Sequence, residues 1–163
     1  MASRSIVDSL APSRVVLDLD ISSKKRLFEH IGLLIENERH VPRAAVFDAL
    51  MARERLGSTA LGLGVAIPHG RIRQLREVTA VFVRPYAGIP FDAPDAEPVR
   101  LILALLVPEH ANEQHLNFLA ELAQMFGDDS FRDALLCAPD PNSVLNMLAH
   151  WSPYAESERS TAI

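Results

Sequence analysis

R-E-R-L-G-S-T-A-L-G-L-G-V-A-I-P-H-G, residues 53–70, is the stretch on which the reading of this chain turns. It holds four of the seven glycines, two adjacent hydroxyls, two arginines and one histidine that follows a proline. Glycines let backbone amides approach a ligand closely and take up positive φ, so a glycine-rich turn can cradle an anion. Val65, Ala66 and Ile67 read as a short buried strand. Pro68 removes a donor and fixes φ, so it ends that strand and stiffens the position before the imidazole. His69 is thereby expected at a strand end with a free ring on a restrained backbone.

Composition narrows the class. A chain of 163 residues is one domain with room for a substantial core. The opening M-A-S-R-S-I-V-D-S-L has no apolar core of signal-peptide length, and no apolar run is long enough to span a bilayer. The single Cys137 excludes an internal disulfide and fits a reducing cytosol. A net charge of −5 argues against nucleic-acid binding. A local basic patch is compatible with it, since Arg53, Arg55, Arg71, Arg73 and Arg76 crowd the stretch.

Outward from the stretch, helices and strands alternate. Residues 1–12 read as a tail or a short irregular helix, and Val15–Leu17 as a strand. Ser23 caps a helix to about Asn37 whose apolar face is Leu27, Phe28, Ile31, Leu34 and Ile35. Pro42 opens a second helix to about Arg53 that buries Val46, Phe47 and Leu50. Residues 78–83 read as a strand, and 85–98 as proline-rich turns around Ile89–Phe91. Residues 99–107 are almost continuously apolar, the pattern of a central strand. Asn112 is the expected cap of a helix with Leu116, Leu119, Leu122, Ala123 and Phe126 on one stripe, stopped by Gly127. Two more helices are expected at 129–137 and from Asp140-Pro141 to about His150. The polar segment 152–163 reads as a C-terminal tail. Such alternation predicts a single-domain α/β/α sandwich, a mixed sheet flanked by helices on both faces.

The whole 53–70 stretch resembles the signature of phosphotransferase-system EIIA domains of the fructose/mannitol type, most closely their nitrogen-regulatory branch. Written R-E-x-x-G-S-T-x-x-G-x-G-x-A-[IV]-P-H-G, that signature is matched at 12 of 18 positions: Arg53, Glu54, Gly57, Ser58, Thr59, Gly62, Gly64, Ala66, Ile67, Pro68, His69 and Gly70. Ala60 stands where a glycine is frequent, a change that stiffens the turn. Lys24, Lys25 and Arg26 after Ser23 also resemble that branch. The resemblance implies a domain over 13–151 and a mixed sheet between helical layers.

It also implies roles. His69 would accept a phosphoryl group on its tele nitrogen. A neutral imidazole is nucleophilic near neutral pH, and its phosphoramidate hands the group onward. His115, in the expected first turn of its helix and in an L-L-V-P…H-L context (Leu105, Leu106, Val107, Pro108, His115, Leu116), matches the second histidine that orients the acceptor or holds phosphoryl oxygens. Arg53 matches the arginine that offers a planar fork to those oxygens, although Arg55 offers the same geometry. Ser58 and Thr59 are the phosphate-binding hydroxyls. Each has a plainer reading: His69 as a hydrogen-bonded strand-end histidine, His115 as a surface histidine, Arg53 as a helix-end charge, Ser58 and Thr59 as turn residues.

The glycine run lacks the G-K-[ST] ending of a nucleotide P-loop, and Ile67 stands where a dinucleotide fingerprint needs its third glycine. His110 and His115, about 140° apart around a helix, cannot share a metal. No cofactor and no metal are expected. Arg100, in Pro98-Val99-Arg100, reverses a charge that is often acidic in the family, which bears on partner choice.

The resemblance thus implies a cytoplasmic phosphohistidine carrier, of transferase class if counted as an enzyme, without membrane insertion. It would take phosphate from an HPr-like (NPr) carrier and regulate targets such as potassium-transport or sensor-kinase systems. One alternative is a sugar-specific fructose or mannitol EIIA that passes phosphate to an EIIB or permease component. The other is a protein-binding module whose histidine is never phosphorylated. The sequence carries no fused transmembrane or EIIB-like segment, which favours regulation.

Overall fold

A computed structural model of the chain describes residues 6–111 and 113–151, with the side chains of 113–116 outside that description. Asn112 and the expected tail at 152–163 lie outside the described residues. The architecture is a six-stranded mixed sheet, in the order β1-β5-β6-β3-β2 with β4 also on β6, between two helical layers. The strands are β1 (Val15–Leu19), β2 (Ala60–Gly62), β3 (Val65–Ala66), β4 (His69–Ile72), β5 (Thr79–Pro85) and β6 (Leu101–Pro108). The helices are α1 (Lys24–Arg39), α2 (Arg43–Arg55), α3 (Glu113–Phe126), α4 (Asp129–Cys137) and α5 (Pro141–His150).

The two central strands are the two most apolar. β5 is buried at every residue and β6 at all but Pro108, as expected of strands covered on both faces. They pair antiparallel, while β1 runs parallel to β5, and β3 and β4 run parallel to β6. Side chains alternate between the faces. Val81, Val83, Ile102, Ala104 and Leu106 meet α1 and α2; Ala80, Phe82, Leu103 and Leu105 meet α3, α4 and α5.

Local chemistry sets the helix ends. Ser23 caps α1 by accepting from Arg26 N–H at 3.1 Å, and His40 closes it in the left-handed region at φ 59°. α2 starts one residue after Pro42, with the Glu36 carboxylate of α1 receiving Arg43 N–H at 2.8 Å. Asp128 and Asp140 cap α4 and α5. In α3 Phe118, Leu122, Met125 and Phe126 are buried and Leu119 is half-buried against the core, whereas Ala123, expected on the same stripe, is at the surface. Residues 6–9 and 12–14 form short 3-10 helices, and Ile6 and Leu10, within the expected N-terminal tail, are buried in the core. Among the described residues no helix is long and apolar enough to cross a membrane.

One interruption decides where the histidine sits. β3 stops before Ile67-Pro68 and β4 resumes at His69, yet Val65 faces Leu101 and His69 faces Leu105, so the register is held across the break. Pro68 donates nothing, but its carbonyl accepts from Leu105 N–H at 2.8 Å and carries the ladder through. His69 therefore begins a strand of its own, on the same line as the one that Pro68 interrupts.

Candidate active site

His69 is half-buried at the head of β4. Its Nδ1 lies 2.9 Å from the Ile67 carbonyl, and its Nε2 lies 3.2 Å from Arg53 Nε. A carbonyl only accepts and a guanidinium only donates, so these two neighbours assign the neutral tautomer: Nδ1 carries the proton and Nε2 carries the lone pair. The ring is thus held with its nucleophilic nitrogen turned to a cation.

Arg53 reaches the ring from the last turn of α2, where a positive charge suits the helix dipole. Its Nη1 also donates to the Gly57 carbonyl at 2.8 Å, which fixes the guanidinium plane. Arg55, two residues on, is exposed. α2 comes this close because β4 presents Gly70 to it: a Cβ there would stand 3.1 Å from Ala49 Cβ. By alternation His69 and Arg71 point to the opposite face, the face of α3. Arg71 Nη1 donates to the carbonyls of Glu109 (3.1 Å) and Ala111 (2.8 Å), tying β4 to the approach to α3. His115 is the third residue of α3; its side chain lies outside the described residues. His110 is exposed in the preceding turn.

Ser58 and Thr59 have other bonds. Ser58 Oγ donates to the Phe91 carbonyl and accepts from Ala60 N–H at 3.1 Å. Thr59 is 6 % exposed and gives both its N–H (2.9 Å) and its hydroxyl (2.5 Å) to the Glu54 carboxylate. Phosphate can reach either hydroxyl only after that bond is released. The glycine turn likewise receives an anion from within the chain. β2 and β3 form a two-residue hairpin with Leu63 and Gly64 at φ 60° and 76°, the pattern of a type I′ turn. Leu63 N–H donates to Asp95 Oδ2 at 2.8 Å, and this bond, with a second from Glu97 N–H, holds the Asp95 carboxyl below the usual range.

Glu54 is the residue whose place the sequence reading did not resolve. It is 7 % exposed and gathers Thr59 and Lys24 Nζ, the latter at 3.2 Å. In the sequence it is a signature match at a helix end, where acids are commonly solvated. Two cavities of about 730 and 530 Å³ lie elsewhere, one lined by residues such as His40 and Arg76, the other by Leu33 and Phe47. Neither touches His69.

A half-buried imidazole with its proton on Nδ1 and an arginine on Nε2 suits histidine phosphoryl transfer. The chain belongs to the family of EIIA 2 domains of the phosphoenolpyruvate-dependent sugar phosphotransferase system, whose model matches residues 8–151. Within that family its similarity runs to nitrogen regulatory proteins. It is 36 % identical over 149 residues to that of Bradyrhizobium diazoefficiens (88 % of this chain, 94 % of the relative). It is 37 % identical over 140 residues to that of Pseudomonas aeruginosa (85 % and 91 %). The crystal structure of nitrogen regulatory protein IIA-Ntr from Neisseria meningitidis superposes with a TM-score of 0.84 at 48 % identity, covering 88 % of this chain and 98 % of that one.

Proposed function

We propose that His69 is the phosphoryl acceptor of a phosphohistidine relay, taking the group from an HPr-like carrier in the cytosol. The observation that carries this reading is the Nδ1–H···O bond to Ile67, which keeps the proton off Nε2 and leaves that nitrogen its lone pair, held at rest by Arg53 Nε–H. In the transfer, the carrier's N–P bond breaks as the Nε2–P bond forms. The carrier's imidazole leaves with the electron pair, and no proton has to leave His69. The positive charge that develops on the ring is shared with the Ile67 carbonyl through Nδ1–H, which keeps the phosphoryl group ready to move on. Arg53 Nε, which holds the Nε2 lone pair at rest, releases it and turns to the phosphoryl oxygens as the group arrives, so one guanidinium serves both states. Positioning and fixed charge suffice for such an in-line step. His115, by its place at the start of α3, is assigned to the oxygens from the other side. Ser58 and Thr59 are assigned first to shaping the turn, and to phosphate only if their present bonds open.

Phosphorylation adds about 1.5 to 2 negative charges at neutral pH, enough to switch a docking surface without refolding. The similarity to nitrogen regulatory proteins supports regulatory targets over an EIIB or permease. Intact-mass measurement after incubation with phosphoenolpyruvate, enzyme I and an HPr-type carrier tests the reading. A gain of one phosphate, absent in His69→Ala, is the expected result. No gain with any cognate carrier leaves a binding module, and impaired fructose or mannitol uptake in a deletion strain selects the sugar-specific reading.

A further inference from the structure

We infer that Glu54, held by Lys24 and Thr59, is a positioning residue that sets the tautomer of His69; only its effect on transfer rests on His69 being the acceptor. The starting observation is two charges at the wrong ends of two helices. Glu54 is an acid in the last turn of α2, and Lys24 is a base at the first residue of α1. Helix dipoles disfavour both placements. Glu54 is also buried, and a carboxylate out of water is costly unless it is paired and hydrogen-bonded.

Glu54 is satisfied by Lys24 and the active-site turn, and Lys24 by Glu54, Phe91 and the exposed Asp92 carboxylate at 3.8 Å. Lys24 Nζ meets Glu54 Oε2 at 3.2 Å, donates to the Phe91 carbonyl at 3.3 Å and lies 4.9 Å over the Phe91 ring. The remaining capacity of the carboxylate goes to Thr59, through backbone and hydroxyl alike. From Thr59 a short path leads to the ring. The Thr59 carbonyl accepts from Ile67 N–H at 3.1 Å, and the Ile67 carbonyl accepts the Nδ1 proton of His69 at 2.9 Å. Fixing Thr59 anchors Ile67 through its N–H, and the carbonyl of the same residue, on the next peptide before Pro68, acts with Arg53 Nε–H to select the protonated nitrogen. If the carbonyl swings away, only Arg53 Nε–H still favours the Nδ1–H form, and whenever that contact opens the proton can sit on Nε2, where it blocks the lone pair that attacks phosphorus.

The test uses the full chain, unphosphorylated, with ¹⁵N-labelled histidine. Wild type should show a single neutral His69 tautomer protonated at Nδ1. Glu54→Gln and Thr59→Val should each show a mixture containing the Nε2–H form, and Thr59→Ser, which keeps the hydroxyl, should restore the wild-type spectrum. With a phosphorylated carrier, the first two variants should transfer ~10-fold or more slowly, with the half-saturating carrier concentration unchanged. A loss of fold stability alone would not change the tautomer. Folded variants that keep the wild-type ring spectrum and rate would overturn the inference. If Glu54→Gln does not fold, Lys24→Met, which frees the carboxylate from α1, must shift the tautomer in the same direction, and a wild-type spectrum there overturns it equally. A tautomer that shifts in a protein no carrier phosphorylates would sustain the inference and remove the acceptor role.

Discussion

Gly70 of β4 and Ala49 of α2 stand so close that a Cβ built on the glycine would lie 3.1 Å from the alanine Cβ and 3.3 Å from its backbone. Ala49 is one helical turn before Arg53, so this contact sets how far the guanidinium is from the ring. Gly70→Ala should push α2 outward and cost about 1–3 kcal/mol, as overpacking does. It should also slow phosphoryl transfer, because Arg53, which now lies 3.2 Å from Nε2, would stand too far away to meet the incoming phosphoryl oxygens. Thermal melting and transfer rate are to be measured on the same preparation. A stable variant with an unchanged rate would mean that the helix position does not govern the arginine.

Arg53→Lys keeps the charge and loses the geometry. Arg53 uses Nε for His69 and Nη1 for Gly57, two donors in one plane that a single ammonium cannot reproduce. Transfer should fall by roughly 10²-fold, the scale of losing one preorganised donor to a developing oxyanion. The fold should survive, since the side chain is only partly buried. A lysine variant that transfers at the wild-type rate would show that charge alone suffices.

Ser58→Ala separates the two roles of that hydroxyl. As a turn residue Ser58 donates to the Phe91 carbonyl and accepts from Ala60 N–H, so its loss should cost about 1–3 kcal/mol of stability and leave the rate within a few-fold. A rate loss approaching that of Arg53→Lys, with melting unchanged, would instead place the hydroxyl on phosphate.

The parts of this molecule that were legible in the sequence are those set by neighbours in the chain. The α1 face, the caps at Ser23 and Asp140 and the apolar run of β6 follow from local spacing, and they appear where expected. β4 was not legible, because a proline looks like a strand's end and only the partner strand shows the register continuing. The glycine turn looked like an anion cradle, and the anion proved to be Asp95, brought from 32 residues away. Glu54 was hidden for the same reason. Its burial depends on Lys24 from another helix, and nothing within a few residues announces it.

Arg84 offers a control away from the candidate site. On β5, it is 7 % exposed and donates Nη1 to the carbonyls of Leu135 (2.9 Å) and Ala138 (2.8 Å), closing the end of α4, while Nη2 meets Asp18. Arg84→Met would leave the Ala138 carbonyl without its donor and the Leu135 carbonyl with Ala138 N–H alone, and should cost about 1–3 kcal/mol. None of its partners touches His69, so the transfer rate below the melting transition should stay at the wild-type value. A large rate loss would reveal coupling between the two helical layers.

Acid should weaken the fold through three carboxylates. Glu36 is held below the usual range by the Arg43 guanidinium and Arg43 N–H, Asp95 by the N–H groups of Leu63 and Glu97, and Asp140 by Ser143 N–H and then its hydroxyl. Each is more acidic folded than unfolded, so protons favour the unfolded chain. The stabilisation they give is fully present above the ordinary carboxylate pKa, about 4, and is lost as pH falls through the lower folded values. Melting temperature measured from pH 7 to pH 3 should therefore be nearly flat at first and then drop below about pH 4. The triple variant Glu36→Gln, Asp95→Asn, Asp140→Asn should start lower, since one helix start, the β2–β3 hairpin and the α5 cap all lose an anionic acceptor. Its melting temperature should then fall less steeply with acid. Curves that remain parallel over the whole range would assign the acid sensitivity to other groups.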